Sequence, residues 1–313
     1  MSVCSASLFG AVMVAQALTI SPARMEVSAD PGVTLEQEFL LINEQATTET
    51  FYTSVQNFDA QGETGTPNFS DAKEGLASWI KVADKITLKP GERVKVPFTL
   101  QVPTNADAGG HFSAIFLTTT PPATTEGGQV AIGAKVGMLV LLTVSGDIKE
   151  GGGVKAFGLK DGVRFVTSLP VNFVYRFAND GNDRVKPEGN IVLRNSLYFK
   201  TEELNANPQL GNILPNSTRR FEVTWGGEKI DKAAPFMDHV KYQWRNFALG
   251  AYFASLDLAF GTKTSSSSTV FFVLPWQLMT VMLIIAIIVI IVLRFALKRY
   301  NQWIIKQAKM HAK

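Results

Sequence analysis

The sequence predicts an all-β protein: two immunoglobulin-like β-sandwich domains followed by a single C-terminal transmembrane α-helix. Three observations predict it. Short runs of alternating apolar residues recur before residue 260, separated by Gly, Pro, Asn and Asp, and half-buried strands read that way. A glycine-rich interval at 145–153 (SGDIKEGGG) divides these runs into two groups, each near the roughly 100 residues of one sandwich. Beyond them, 270–293 (VFFVLPWQLMTVMLIIAIIVIIVL) carries no charge and exceeds the roughly 20 apolar residues that cross a bilayer.

The elements follow in chain order. Residues 7–17 (SLFGAVMVAQA) are a short apolar run ending in Ala15-Gln16-Ala17, the A-x-A pattern of a secretory cleavage site, so 1–17 reads as a signal peptide. Its n-region departs from the pattern, since no basic side chain precedes Leu8. Cys4, the only cysteine, would leave with it, and the mature chain would hold no disulfide and no cysteine-based metal site. In the first domain (18–144), period-two strands are expected at 35–42, 50–58, 94–102, 112–119 and 136–144. In the second (154–260) they are expected at 154–159, 171–177, 189–194, 219–225 and 250–260. Turn signals stand between them: Asp30-Pro31-Gly32, Lys89-Pro90-Gly91, Asp161-Gly162 and 179–182 (NDGN). No long amphipathic helical pattern precedes the span. Residues 261–269 (GTKTSSSST) read as a flexible polar linker.

The apolar span 270–293 has Trp276 near its start, where an amphipathic ring favours the headgroup layer, and Arg294, Lys298 and Arg299 on its far side. Six of the 30 basic residues lie after Leu293 with no Asp or Glu among them, leaving 24 against 27 acidic residues before it. The large N-terminal part is therefore near −3. A short, purely basic flank belongs in the cytoplasm, so 294–313 is expected to be a cytoplasmic tail and the two domains extracytoplasmic. The tail also carries Trp303, Ile304 and Ile305, which suits either a plain stop-transfer anchor or contact with an anionic leaflet.

SPARMEVSADPGVTLEQEFLLIN, then Trp79-Ile80, then ITLKPGERVKVPFTLQVP and AGGHFSAIFLTT together resemble the N-terminal immunoglobulin-like domain of the bacterial WxL-interacting surface proteins. The likeness covers 20–144. Over 154–260 it is the broader one of membrane-proximal β-sandwiches of bacterial surface proteins. The resemblance implies a first domain that binds the cell wall and a second that binds an outside ligand.

Within these motifs, Pro90 presets φ and Gly91 accepts a positive one, making a tight turn into strand 94–102. Val94, Val96, Phe98, Leu100 and Val102 supply that strand's inward face. Gly109 and Gly110 permit close backbone approach just before His111. Two readings of His111 are open: contact with a ligand at a strand mouth, or a strand-end residue bonded to a loop carbonyl. Trp79 has the same pair of readings, a sugar-stacking platform or a cover over the core. Trp79, Gly109, Gly110 and His111 are the ligand-binding candidates.

Catalytic signatures are sparse. His111, His239 and His311 are the three histidines, and HExxH, CxxC, G-x-S-x-G and P-loop lysine patterns do not occur. The oxygen-rich 179–183 (NDGND) lacks the spaced calcium-loop order and reads as a hairpin turn. Asp59, Glu63, Asp71 and Glu74 fall in a long polar segment, 59–75. Together with 120–129 (TPPATTEGGQ) it is a candidate binding loop. No catalytic residue, cofactor or metal is assigned, and the acidic ectodomain excludes a nucleic-acid partner. Three function classes remain: a non-catalytic, membrane-anchored binder of cell-wall glycan or a surface protein; an assembly component working by β-strand pairing; and an extracytoplasmic hydrolase.

Overall fold

The computed structural model describes residues 18–71, 74–121, 135–231 and 233–311. The expected signal peptide, 1–17, and the greater part of the expected loop 120–129 lie outside the described residues. The described chain forms two compact units.

Unit 1 holds the residues up to Gly151 together with 179–185 and 213–217. Its strands are β1 (Leu18–Ser21), β2 (Arg24–Ala29), β3 (Thr34–Asn43), β4 (Glu49–Gln61), β5 (Thr66–Ser70), β6 (Ile80–Val82), β7 (Lys85–Leu88), β8 (Arg93–Gln101), β9 (Gly109–Thr118) and β10 (Lys135–Val144), with one helical turn, α1 (Leu76–Trp79). One sheet runs β1-β3-β8-β6. The other runs β2-β10-β9-β4-β5, with β7 also on β4. The chain changes sheets between β1, antiparallel to β3, and β2, parallel to β10. Pro22 sits at the change and has no N–H with which to continue a ladder.

Alternation explains the core. Val96, Phe98 and Leu100 of β8 are buried with Phe39 and Leu41 of β3, each apolar side chain contributing about 1.5–3 kcal/mol. Strand β10 is apolar on consecutive positions because it is covered on both faces. Met138, Val140 and Leu142 join the sandwich core, while Leu141 packs with Phe58 and Phe116 in a second cluster that includes Leu214. The Lys89-Pro90-Gly91 turn forms as expected, with Gly91 at φ 71 and its N–H on the Asn43 carbonyl at 2.8 Å. Buried Asn43 ties this end together, its Nδ2 donating to the carbonyls of Thr47, Leu88 and Lys89.

Unit 2 comprises β11 (Gly152–Leu159), β12 (Phe165–Val166), β13 (Val171–Asn179), β14 (Glu188–Arg194), β15 (Lys200–Asn205), β16 (Ser217–Trp225), α2 (Phe236–Arg245), β17 (Gly250–Phe260), β18 (Lys263–Val273) and α3 (Trp276–His311). Its sheets run β11-β13-β16 and β12-β18-β17-β14-β15. Aromatic rings fill the space between them: Tyr175 stacks on Phe221 at 4.8 Å, and Phe173 meets Phe271 edge-on at 5.5 Å. All ten strands expected from alternation are present.

Four expectations are corrected. The serine-rich segment 261–269 is not a linker: β18 runs through it, paired with β17 from Phe260↔Lys263 to Gly250↔Val273. Serine has no strong bias against a pleated surface, and alternate positions of β18 are partly covered. The apolar helix starts at Trp276, not 270, because 270–273 belong to that strand and Pro275 precedes the first turn. It also continues through Arg294, Lys298 and Arg299, so the basic flank is helical. No long helix precedes the span among the described residues; the one amphipathic helix there, α2, is ten residues long and buries Val240 and Gln243. The segment 59–75 is largely a hairpin, β4 pairing with β5 from Asn57↔Ser70 to Gln61↔Thr66. Finally, 179–183 does not turn a hairpin: it connects β13 to β14, which lie in different sheets.

Candidate functional site: a Trp–His corner and open strand edges

Two of the candidate ligand-binding residues meet in unit 1. Trp79 ends α1, which Asn57 holds: its Oδ1 accepts the Ala77 N–H at 2.8 Å and its Nδ2 donates to the Glu74 carbonyl. The indole is partly buried against the sandwich core. His111, on β9, lies beside it with ring centroids 4.7 Å apart and planes tilted by 50°. His111 Nε2 donates to the Asp107 carbonyl at 2.8 Å, which puts the proton of a neutral ring on Nε2 and leaves Nδ1 as an acceptor. The pair forms an aromatic face beside one nitrogen free to accept a hydrogen bond.

Gly109 and Gly110 serve a different contact. Gly109 has φ 122, and a Cβ there would lie 2.3 Å from the Asn182 carbonyl oxygen. That same oxygen accepts the Gly110 N–H at 2.8 Å. A Cβ on Gly110 would meet Phe112 Cζ at 2.4 Å and Asp183 Oδ1 at 2.8 Å. The two glycines thus admit the 179–185 segment to unit 1. Its polar atoms are engaged there: Asn182 Oδ1 accepts the Lys149 N–H, Asp183 Oδ2 accepts the Thr143 hydroxyl, and Asn179 Oδ1 accepts the Gly181 N–H. The sequence showed the glycines but had no signal for their partner, since Asn182 lies far along the chain.

The strand edges are the second feature. Among the described residues each sheet ends in strands paired on one side only: β1 and β6, β2 and β5, β11 and β16, β12 and β15, with β7 likewise paired to β4 alone. Several are blunted. β5 carries Pro67, and β15 carries Lys200, Glu202 and Glu203. The Lys200 ammonium, hydrogen-bonded to Glu203, holds that carboxyl below its usual range. Strand β8 is covered by β6 only at Phe98, Thr99 and Leu100, and its open part contains Pro97. By contrast β16 spans nine residues without proline, longest of these terminal strands, with Phe221, Val223 and Trp225 buried and Arg220, Glu222 and Thr224 on the other face.

The third feature is α3. Its apolar stretch has mean hydropathy 3.0 and is long and apolar enough to cross a membrane. Trp276, an anchor candidate, opens this helix with its ring 6.0 Å from Phe236 of α2. Arg294, Lys298 and Arg299 project from the same helix, exposed.

No family model matches this chain, and no curated protein matches it. Among solved structures it is similar to the class 5 fimbriae chaperone CfaA, at 12% identity and TM-score 0.40, covering 82% of this chain and 99% of that one. It is also similar to the E. coli chaperone DraB, at 10% identity and TM-score 0.38, covering 81% and 96%. A third likeness is to the CsuC–CsuE chaperone–tip subunit complex of Acinetobacter baumannii, at 14% identity and TM-score 0.35, covering 66% and 89%. The class defined by the strand order and register is a pair of immunoglobulin-like β-sandwiches with one C-terminal apolar helix.

Proposed function

We propose that this chain is a non-catalytic binding protein anchored in the cell membrane by α3, its two β-sandwiches extracytoplasmic, and that unit 1 contacts cell-wall glycan or a surface protein. The observation that carries the reading is the Trp79–His111 pair: an aromatic face beside a hydrogen-bonding nitrogen, held by α1 and β9, is how a rigid sandwich presents a sugar- or peptide-sized contact. The resemblance of 20–144 to WxL-interacting proteins supports the wall as target. The test uses detergent-solubilised full-length protein, incubated separately with purified wall material and with envelope proteins. Retention on the wall that falls with Trp79→Ala or His111→Ala supports the glycan reading. Capture of one defined protein with no wall retention moves the target to a protein partner, and failure to retain either sinks the binding reading.

A second reading is favoured by β16. A nine-residue strand without proline that ends its sheet among the described residues is a template for a partner strand, which would make the protein an assembly component. Proline at Arg220, Glu222 or Thr224 then abolishes capture of the partner while leaving wall retention unchanged.

A further inference from the structure

Unit 2 carries an apolar rim at the end from which α3 departs. The strand registers place it. β18 delivers the chain to α3, and its last residues face the beginning of β17, with Gly250↔Val273 and Ala251↔Phe272. Three separate segments reach this level. Phe165 of β12, 72% exposed, stacks on Phe272 at 5.1 Å. The 195–199 turn joins it: Ser196 Oγ bonds the Ala251 backbone on both its carbonyl and its N–H. That turn holds out Leu197 at 74%, Tyr198 at 67% and Phe199 at 66% exposure. The third segment is α2 with the residues leading into β17, where Trp244 is 67% exposed and Phe247 and Leu249 are exposed as well.

Helix α2 is tied to the root of α3. Buried Gln243 accepts the Leu278 N–H on Oε1 at 2.9 Å, capping the first turn of α3, and its Nε2 donates to Gln277 Oε1 and the Thr167 carbonyl. Trp244 and Arg245 share a groove with Val281, Met282 and Ile285 of α3. Ile285 lies about 14 Å along the helix from Trp276 at ~1.5 Å per residue. The uncharged run 276–293 measures roughly 27 Å, against a hydrocarbon core of about 30 Å. If the turns that α2 accompanies stood in water, 286–297 would supply only about 18 Å and would draw Arg294 into the core, a cost of roughly 3 kcal/mol at its centre. The first turns of α3 therefore belong at membrane depth, and α2 goes with them.

We infer that this end of unit 2 is a membrane-interface collar: α2 and the Leu197-Tyr198-Phe199 turn enter the headgroup and upper acyl layer of the bilayer that α3 crosses. The inference rests on the proposed membrane anchoring. A rim of Trp, Tyr and Phe suits that layer, and an amphipathic helix buries its apolar face about 5–10 Å into it. Lys241, 3.5 Å from Asp238, and Arg245 sit on the same helix, with stems long enough for a charged head to reach lipid phosphates from that layer. The collar holds unit 2 at the surface by three segments instead of one helix.

The experiment uses the full chain in a Cys4→Ser background, with single cysteines replacing Trp244, Phe199, Ile290 or Thr66, each carrying a polarity-sensitive dye. The protein is reconstituted in phosphatidylcholine–phosphatidylglycerol vesicles containing lipids spin-labelled at a shallow or a mid-chain position. The expected result is strong mid-chain quenching at 290, strong shallow quenching with blue-shifted emission at 244 and 199, and neither at 66 in unit 1. Quenching at 290 with 244 and 199 behaving like 66 overturns the collar and leaves the anchor standing. Quenching at only one of 244 and 199 overturns the collar for the other element. An unquenched 290 overturns the anchor and the collar with it.

Discussion

At Gly109 one hydrogen atom decides how unit 1 closes on its distant segment. The residue sits at φ 122, and a Cβ would lie 2.3 Å from the Asn182 carbonyl oxygen, so an alanine there meets both backbone strain and a backbone clash. Gly109→Ala is expected to destabilise unit 1 by about 2 kcal/mol or more, read as a lower denaturation midpoint for amide-exchange protection of unit 1 strands; an unchanged midpoint would mean that the 179–185 segment contributes nothing to closure. The sequence showed two adjacent glycines before a strand but not why both are needed. Trp79 and His111 stand far apart in the chain, and only the fold brings their rings to 4.7 Å. Contacts between residues far apart in the chain leave no local pattern. Tyr175 gives a second prediction. Its hydroxyl donates to the Ala206 carbonyl at 3.0 Å, and burial pushes its ionisation far above the ordinary value of 10.0; burial raises Tyr252 as well. Between the unfolded and folded values the native state binds more protons than the unfolded one, so this contribution is complete below pH ~10 and falls as pH rises beyond it. Denaturant melts of unit 2, followed with tyrosinate absorbance, should therefore weaken only above pH ~10. Tyr175→Phe should flatten that fall while costing about 1 kcal/mol at neutral pH.

Among the elements, those with an inward and an outward face announced themselves. Strand β8 alternates at Val94, Val96, Phe98 and Leu100, and Val96, Phe98 and Leu100 are buried; β9 and β10 depart from that logic, with consecutive buried positions, and are legible as apolar runs instead. Where composition and pattern disagree, composition misleads. KTSSSSTVFFV reads as a linker joined to the start of a span, yet it is β18, hydrogen-bonded between β12 and β17. Serines satisfy a ladder through their backbones, and β18 brings only Phe271 and Val273 to the buried state. Helix α2 leaves little sequence signal because ten residues give fewer than three turns of periodicity, and one of its two buried positions is a glutamine. The consequence for β18 is testable by truncation. A chain ending at Leu274 keeps the whole strand, whereas one ending at Thr264 loses all but its first two residues and exposes the β17 edge. The shorter form is expected to lose cooperative unfolding of unit 2, or to aggregate through that edge, while unit 1 in both forms melts alike. Equal stability of the two truncations would show that β18 is dispensable.

For the whole molecule, the charge distribution predicts which way the chain faces across the membrane. After Leu293 every ionisable side chain apart from tyrosine and histidine is basic, while the residues before it sum to near −3. The short basic segment follows directly on α3, within the distance over which Lys and Arg set orientation. An inverted chain would have to carry Arg294, Lys298 and Arg299 outward and keep two folded sandwiches on the cytoplasmic side. Intact cells treated with protease should therefore lose both β-sandwich units and retain a protected fragment containing α3 and 294–313, detected with a C-terminal tag. Replacing Arg294, Lys298 and Arg299 with glutamine should raise the fraction of chains whose tag is cleaved from outside, because the remaining Lys306, Lys309 and Lys313 stand farther from the apolar run. A tag cleaved in the unaltered protein, with the sandwiches protected, would place the binding surfaces in the cytoplasm. Trp79–His111 and the β16 edge would then face cytoplasmic partners, and a cell-wall target would be excluded by topology alone.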